Sequence, residues 1–79
     1  MNLYVGNLSP KTSEYLIRKT FERFGKVDNV SMNEKPTNET DYRFCFVNMP
    51  FENQALIAIR ELQGKVLEGY KLKIKESFI

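Results

Sequence analysis

Leu3-Tyr4-Val5 alternates apolar and outward positions and runs into Gly6-Asn7, which predicts a short strand ended by a turn. Beyond Ser9-Pro10, residues Ile17, Thr20, Phe21 and Phe24 recur at three- and four-residue steps, the stripe of a first helix capped by Thr12 or Ser13 and closed by Gly25. Tyr15 and Leu16 lie beside that stripe and are expected to pack at the flank of the core. Val27, Val30 and Met32 mark a second strand, irregular at its start, with Ser31 and Asn33 on its other face. Glu34 to Asp41 carries Pro, Asn and Thr but no apolar residue and reads as a mobile loop.

Phe44-Cys45-Phe46-Val47 is a short, aromatic-rich apolar run between that loop and Pro50, too short for a helix and suited to a central strand. From Glu52 to Leu62, residues Ala55, Ala58, Ile59 and Leu62 form a second helical stripe, which Leu56 and Ile57 widen and Gly64 stops. Leu67-Glu68-Gly69 then turns the chain into a last strand, Tyr70 to Glu76, where Leu72 and Ile74 alternate with Lys71, Lys73 and Lys75. The order is βαββαβ. It predicts an α+β, ferredoxin-like sandwich: a four-stranded antiparallel sheet with two helices on one face.

Strand alternation then makes a sharp demand. If Leu3, Val5, Cys45 and Val47 face the helices, Tyr4, Phe44 and Phe46 must face water. Isolated exposed apolar side chains are ordinary, whereas a contiguous cluster of rings marks a binding surface.

Composition narrows what such a surface can do. Seventy-nine residues predict a single small domain over 1–79, and 42% hydrophobic with 13% aromatic content is enough for a core. Cys45 is the one cysteine, so no intrachain disulfide can form, and with no histidine beside it the thiol reads as a small core residue, not a nucleophile. The absence of histidine also excludes imidazole catalysis, histidine-ligated haem and tetrahedral zinc, so no cofactor is expected. No run approaches the roughly 18 apolar residues of a membrane span, and Met1 leads into a strand, not a signal peptide. A reduced, cytoplasmic setting is the expectation. Twelve Lys+Arg against ten Asp+Glu leave +2, so the position of each charge matters more than the sum.

Leu3-Tyr4-Val5-Gly6-Asn7-Leu8 resembles, at every position, the hexamer motif of the RNA recognition motif (RRM) family. Arg43-Phe44-Cys45-Phe46-Val47, about 40 residues later, resembles the centre of its octamer motif, and Phe24-Gly25-Lys26-Val27 and Ala58-Ile59-Arg60-Glu61-Leu62-Gln63-Gly64 resemble its helical segments. The length is similar to that of the family's stand-alone bacterial members. The resemblance implies a non-catalytic, monomeric module for single-stranded RNA with a post-transcriptional role, in which Tyr4, Phe44 and Phe46 stack bases. It further implies that Asn2, Asn33, Tyr42, Arg43, Asn48, Lys71, Lys73 and Lys75 contact phosphates or base edges. Base discrimination is expected from Asn29, Ser31, Asn33 and Asn48 and from main-chain groups near Ser77 and Phe78.

The octamer matches the family pattern at Phe44, Phe46 and Val47 and departs from it at Cys45, at Met49, at Tyr42, where a phosphate-pairing cation is usual, and at Arg43, which replaces glycine and by alternation points to the opposite face. Arg43 either bends round at a bulge to reach a phosphate or leaves that contact unmade. The preceding loop is acidic, with Glu34, Glu39 and Asp41 against Lys35, which weakens affinity for a polyanion. Lys71, Lys73 and Lys75 supply the positive edge, or else a solvated edge that discourages strand pairing. With three or four phosphates neutralised, the salt slope should be about −2 to −3 and the Kd micromolar, roughly −8 kcal/mol. Single-stranded DNA presents similar faces and stays open as a partner. The alternative from another class is a protein-interaction domain of the same fold whose sheet face takes a peptide or a partner subunit, or is covered by Phe78-Ile79. A small ferredoxin-like phosphatase is disfavoured, because Gly6-Asn7-Leu8-Ser9 offers no cation to cradle phosphate.

Overall fold

The computed structural model describes residues 1–33 and 43–78; the expected loop at 34–41, Tyr42 and Ile79 lie outside the described residues. Its elements are β1 (Asn2–Leu8), α1 (Glu14–Glu22), β2 (Asn29–Met32), β3 (Arg43–Asn48), α2 (Glu52–Leu62), β4 (Val66–Leu67), β5 (Tyr70–Lys71) and β6 (Lys73–Ser77). The four longer strands form one antiparallel sheet in the order β2-β3-β1-β6, the ferredoxin-like arrangement, and β4 with β5 adds a small hairpin.

Alternation within β1 puts Leu3 and Val5 into the core, but Leu8 joins them on the same side. An odd-to-even switch needs an extra residue, and the ladder with β3 slips between Val5 (opposite Cys45) and Leu8 (opposite Arg43). Gly6 and Asn7 form this bulge. Asn7 takes a φ of 60°, which asparagine tolerates better than most residues, and its Nδ2 donates to the Lys71 carbonyl at 2.8 Å. The strand therefore passes through the expected stop at Gly6-Asn7 by kinking.

Helix α1 is capped by Ser13, whose Oγ accepts from the Leu16 amide at 3.1 Å, and Glu14 sits favourably in its first turn. Ile17 and Phe21 are wholly buried, each contributing about 1.5–3 kcal/mol by transfer from water. Tyr15 is 70% exposed, so it does not flank the core as expected: it lies two positions before Ile17, on the opposite side of the helix. Nor does Gly25 close α1, which ends at Glu22. A Cβ at Gly25 would collide with the Gln54 side chain, whose Oε1 accepts from the Lys26 amide at 2.9 Å. That glycine is a point of close approach between the turn after α1 and helix α2.

Helix α2 buries Ala55, Ala58 and Leu62 and ends at Leu62, with Gly64 two residues beyond in the left-handed region at φ 78°. Leu56 and Ile57, one and two steps beyond Ala55, turn outward instead of widening the buried face. The expected last strand is divided. Tyr70 and Lys71 pair with Leu67 and Val66 across a two-residue turn, Glu68-Gly69, in which both residues have positive φ. Leu72 then bonds to Gly64 and Lys65, and β6 begins at Lys73 alongside β1. The Gln63 amide side chain accepts from Ile74 N–H and donates to Ile74 C=O, pairing with the outer edge of β6 as a short strand would.

Candidate nucleic-acid interface

With the helices on one side, registers between neighbouring strands fix what lies side by side on the other. Ser31 faces Phe46, Phe46 faces Tyr4, and Tyr4 faces Lys75. On the side of the bulge, Gly6 faces Lys73, and the Asn33 backbone N–H donates to the Phe44 carbonyl at 3.0 Å. At the other end Asn29, Asn48, Asn2 and Ser77 stand opposite one another, one from each strand. The face thus runs from neutral polar groups on β2, through aromatic rings on β3 and β1, to two exposed lysines on β6.

Tyr4, Phe44 and Phe46 are half-buried, and none belongs to the core cluster of Leu3, Val5, Cys45 and Val47. They cover one another. Ring centroids lie 5.4 Å apart for Tyr4–Phe44, 5.9 Å for Tyr4–Phe46 and 5.7 Å for Phe44–Phe46, the last two edge to face. Tyr4 reclines over Gly6, where a Cβ would stand 2.7 Å from Tyr4 Cε1 and 2.8 Å from its hydroxyl oxygen. The sequence marks Gly6 as a turn signal and a motif position, not as the seat of the Tyr4 ring. The missed cue was its place two residues after Tyr4, on the same face of the strand.

The Lys75 ammonium sits 5.3 Å from the Tyr4 ring centre, a cation–π contact between cross-strand partners. An open hollow of about 530 Å³ is lined by the three rings with Lys75, Glu76, Ser77 and Phe78. Phe78 rims it but is 88% exposed, so its ring does not lid the sheet.

Two expected site residues turn out differently. Arg43 is held inside the fold: its Nη1 donates to the carbonyls of Ser9, Pro10 and Thr12 at 3.1, 2.8 and 2.9 Å. A guanidinium fork can satisfy several oxygens at once, and here it ties β3 to the segment leading into α1 instead of reaching round to a phosphate. Lys71 is exposed but belongs to the small hairpin, because the strand breaks at Leu72, and so it does not continue the line of Lys73 and Lys75 on the four-stranded sheet. Cys45 is buried, and loss of solvation pushes its thiol up to about 12, with the Arg43 charge opposing that shift. Such a thiol is not a nucleophile at neutral pH.

An RNA recognition motif model matches residues 3–73. The chain is 36% identical over 76 residues to "Probable RNA-binding protein 18" of Danio rerio, covering 92% of the chain and 40% of that protein, and 41% identical over 76 residues to "Protein RRC1" of Arabidopsis thaliana, covering 92% and 8%. It spans less than half the length of these relatives. Among solved structures, the RNA binding protein PG1 superposes with a TM-score of 0.87 at 34% identity, covering 100% of the chain and 95% of that one. The first two RRM domains of the yeast poly(U) binding protein Pub1 give 0.91 at 28% identity, covering 100% and 47%. With both motifs in place on adjacent central strands, the helices behind them and the family model spanning nearly the whole chain, this protein belongs to the RNA recognition motif family.

Proposed function

We propose that the outer sheet face binds single-stranded RNA, stacking bases on Tyr4, Phe44 and Phe46 while Lys73 and Lys75 meet phosphates. The observation that carries this is the ring cluster itself: three aromatic side chains turned away from the core, with Tyr4 in register with Lys75 on β6. Each ring offers an unpaired base a face worth about 1–3 kcal/mol, and the sheet holds the rings in place, so little conformational freedom is lost on binding. A base stacking on Tyr4 takes the place of the Lys75 ammonium, which is then released toward a neighbouring phosphate. The likeness to PG1 along its whole length, and to relatives named as RNA-binding, supports the same reading. The role proposed is binding without chemistry, in a cytoplasmic, post-transcriptional process.

Titration of short fluorescent RNAs tests it. Tyr4→Ala, Phe44→Ala and Phe46→Ala should each weaken binding by about 1–3 kcal/mol while urea unfolding stays cooperative. Parent-like binding by all three variants would refute the proposal. The engagement of Arg43 within the fold favours a second reading, since it removes a cation from the face: a protein-interaction domain that takes a peptide there. Amide shift changes on β1 and β3 during RNA titration separate the two.

A further inference from the structure

A second hollow, of about 430 Å³, opens where the ends of α1 and α2 meet the β4–β5 hairpin, and it shares no residue with the hollow at the rings. It is lined by Leu62 and Leu72 of the core, by half-buried Phe24 and Leu67, and by Val66, which is 61% exposed. Three charged side chains, Arg23, Glu61 and Lys65, complete the lining. Glu61 is paired with Arg60 at 3.3 Å, whereas neither Arg23 nor Lys65 has a carboxylate partner among the described residues. We propose that this groove is a peptide-docking site whose ligand is a large apolar side chain flanked by Asp or Glu. The inference goes beyond the RNA-binding reading and stands without it.

Size, lining and charge together select this occupant. The volume lies within the range of about 300–1,000 Å³ typical of ligand sites. An apolar side chain seated there covers Phe24, Leu67 and Val66, which the fold leaves partly wet. A wholly apolar segment would do the same but would strip water from Arg23 and Lys65 without giving them a partner. A basic segment would meet like charge, and a phosphate chain would satisfy the two cations while leaving the apolar lining as wet as before. Carboxylates beside the apolar residue meet both demands: the planar Arg23 guanidinium, 5.8 Å from the Phe24 ring centre, suits a two-pronged bond to one, and the Lys65 ammonium offers a second point charge. The carbonyl ends of α1 and α2 carry partial negative charge, which accounts for cations at this corner but not for an open apolar lining between them.

Selection of a displayed library of random short peptides on the immobilised chain tests the proposal. The expected enrichment is of an aromatic or large aliphatic residue with Asp or Glu beside it; enrichment of basic flanks, or of nothing above the bare support, overturns it. The most enriched peptide, carrying a fluorophore, is then titrated against variants at exposed positions, with urea unfolding as the check on folding. Arg23→Gln and Lys65→Gln should each weaken it about threefold and together about tenfold, and Val66→Asp should weaken it about tenfold or more. Amide shifts should move at Phe24, Leu62 and Val66 and stay still at Tyr4 and Phe46. A peptide that binds these variants like the parent, or that moves the ring-face amides instead, overturns the groove as the site. A short U homopolymer titrated in parallel should not distinguish the variants from the parent; a loss of its affinity in Arg23→Gln and Lys65→Gln would make the rim a phosphate site and overturn the peptide as occupant.

Discussion

Replacing Gly6 with alanine sets a methyl carbon beneath the Tyr4 ring, 2.7 Å from Cε1, 3.0 Å from Cζ and 2.8 Å from the hydroxyl oxygen. Unstrained carbon contacts lie near 3.5–4.0 Å, so the ring must lift by roughly 0.7 Å or more. The backbone need not move, because Gly6 is not among the positive-φ glycines, Gly64 and Gly69. What moves is the far end of a rotatable side chain. Lifting it disturbs a cluster whose centroids are only 5.4 and 5.9 Å from Tyr4. Stability should therefore stay within about 1 kcal/mol of the parent, helped by the lower entropy of an unfolded alanine. RNA affinity should fall by about 1–2 kcal/mol, or roughly 5–30-fold, approaching the loss of a whole ring. Fluorescence anisotropy with a short labelled RNA, paired with urea melts, reads the two quantities separately. In the Tyr4→Ala background the methyl has no ring to displace and should cost no further affinity. Parent-like binding by Gly6→Ala, or losses that simply add in the double variant, would show that the ring's resting place on Gly6 is irrelevant to binding.

Arg43→Met removes the guanidinium from the carbonyls of Ser9, Pro10 and Thr12, of which Ser9 keeps the Thr12 amide as donor, and should cost about 1–3 kcal/mol in urea while leaving the salt slope of RNA binding unchanged; a lower slope would put Arg43 on a phosphate after all. Thr12 is 1% exposed and its Oγ1 has no partner among the described residues, so Thr12→Val should stabilise by about 1 kcal/mol, and a destabilisation would reveal a bond to that hydroxyl. Burial raises the Cys45 thiol from 9.0 to about 12 in the folded state, so its contribution to stability is fully present below pH 9 and is lost as pH rises toward 12. Alkylation at pH 8 should accordingly be slow in buffer and fast in urea, and equal rates would mean an accessible thiol. Lys73→Gln with Lys75→Gln should flatten the dependence of log K on log salt by about 1.4, and no change would place the phosphates elsewhere.

Much of this was open to reading in one dimension because strand and helix periods are local. A pleat sends Tyr4 and Leu3 to opposite faces wherever the strand sits, so the trio of rings, the buried Cys45 and the outward Lys73 and Lys75 follow from alternation, as the α2 stripe follows from its 3.6-residue period. Period alone could not say how far a stripe extends: Tyr15, Leu56 and Ile57 are apolar neighbours of buried positions, and only helix-to-sheet packing decides that they remain outside. Arg43 and Gly25 were settled by partners distant in sequence. Arg43 finds carbonyls more than 30 positions earlier, and Gly25 makes room for Gln54 on the other helix. The division of the last strand at Leu72 has the same origin, a bond to residues just after α2 that no local pattern encodes. Register belongs to this second kind as well. Which polar residue stands beside which ring depends on how four strands slide against one another, and on the extra residue that β1 gains at its bulge. The sequence set the faces of this protein, and long-range hydrogen bonding set the neighbours on them.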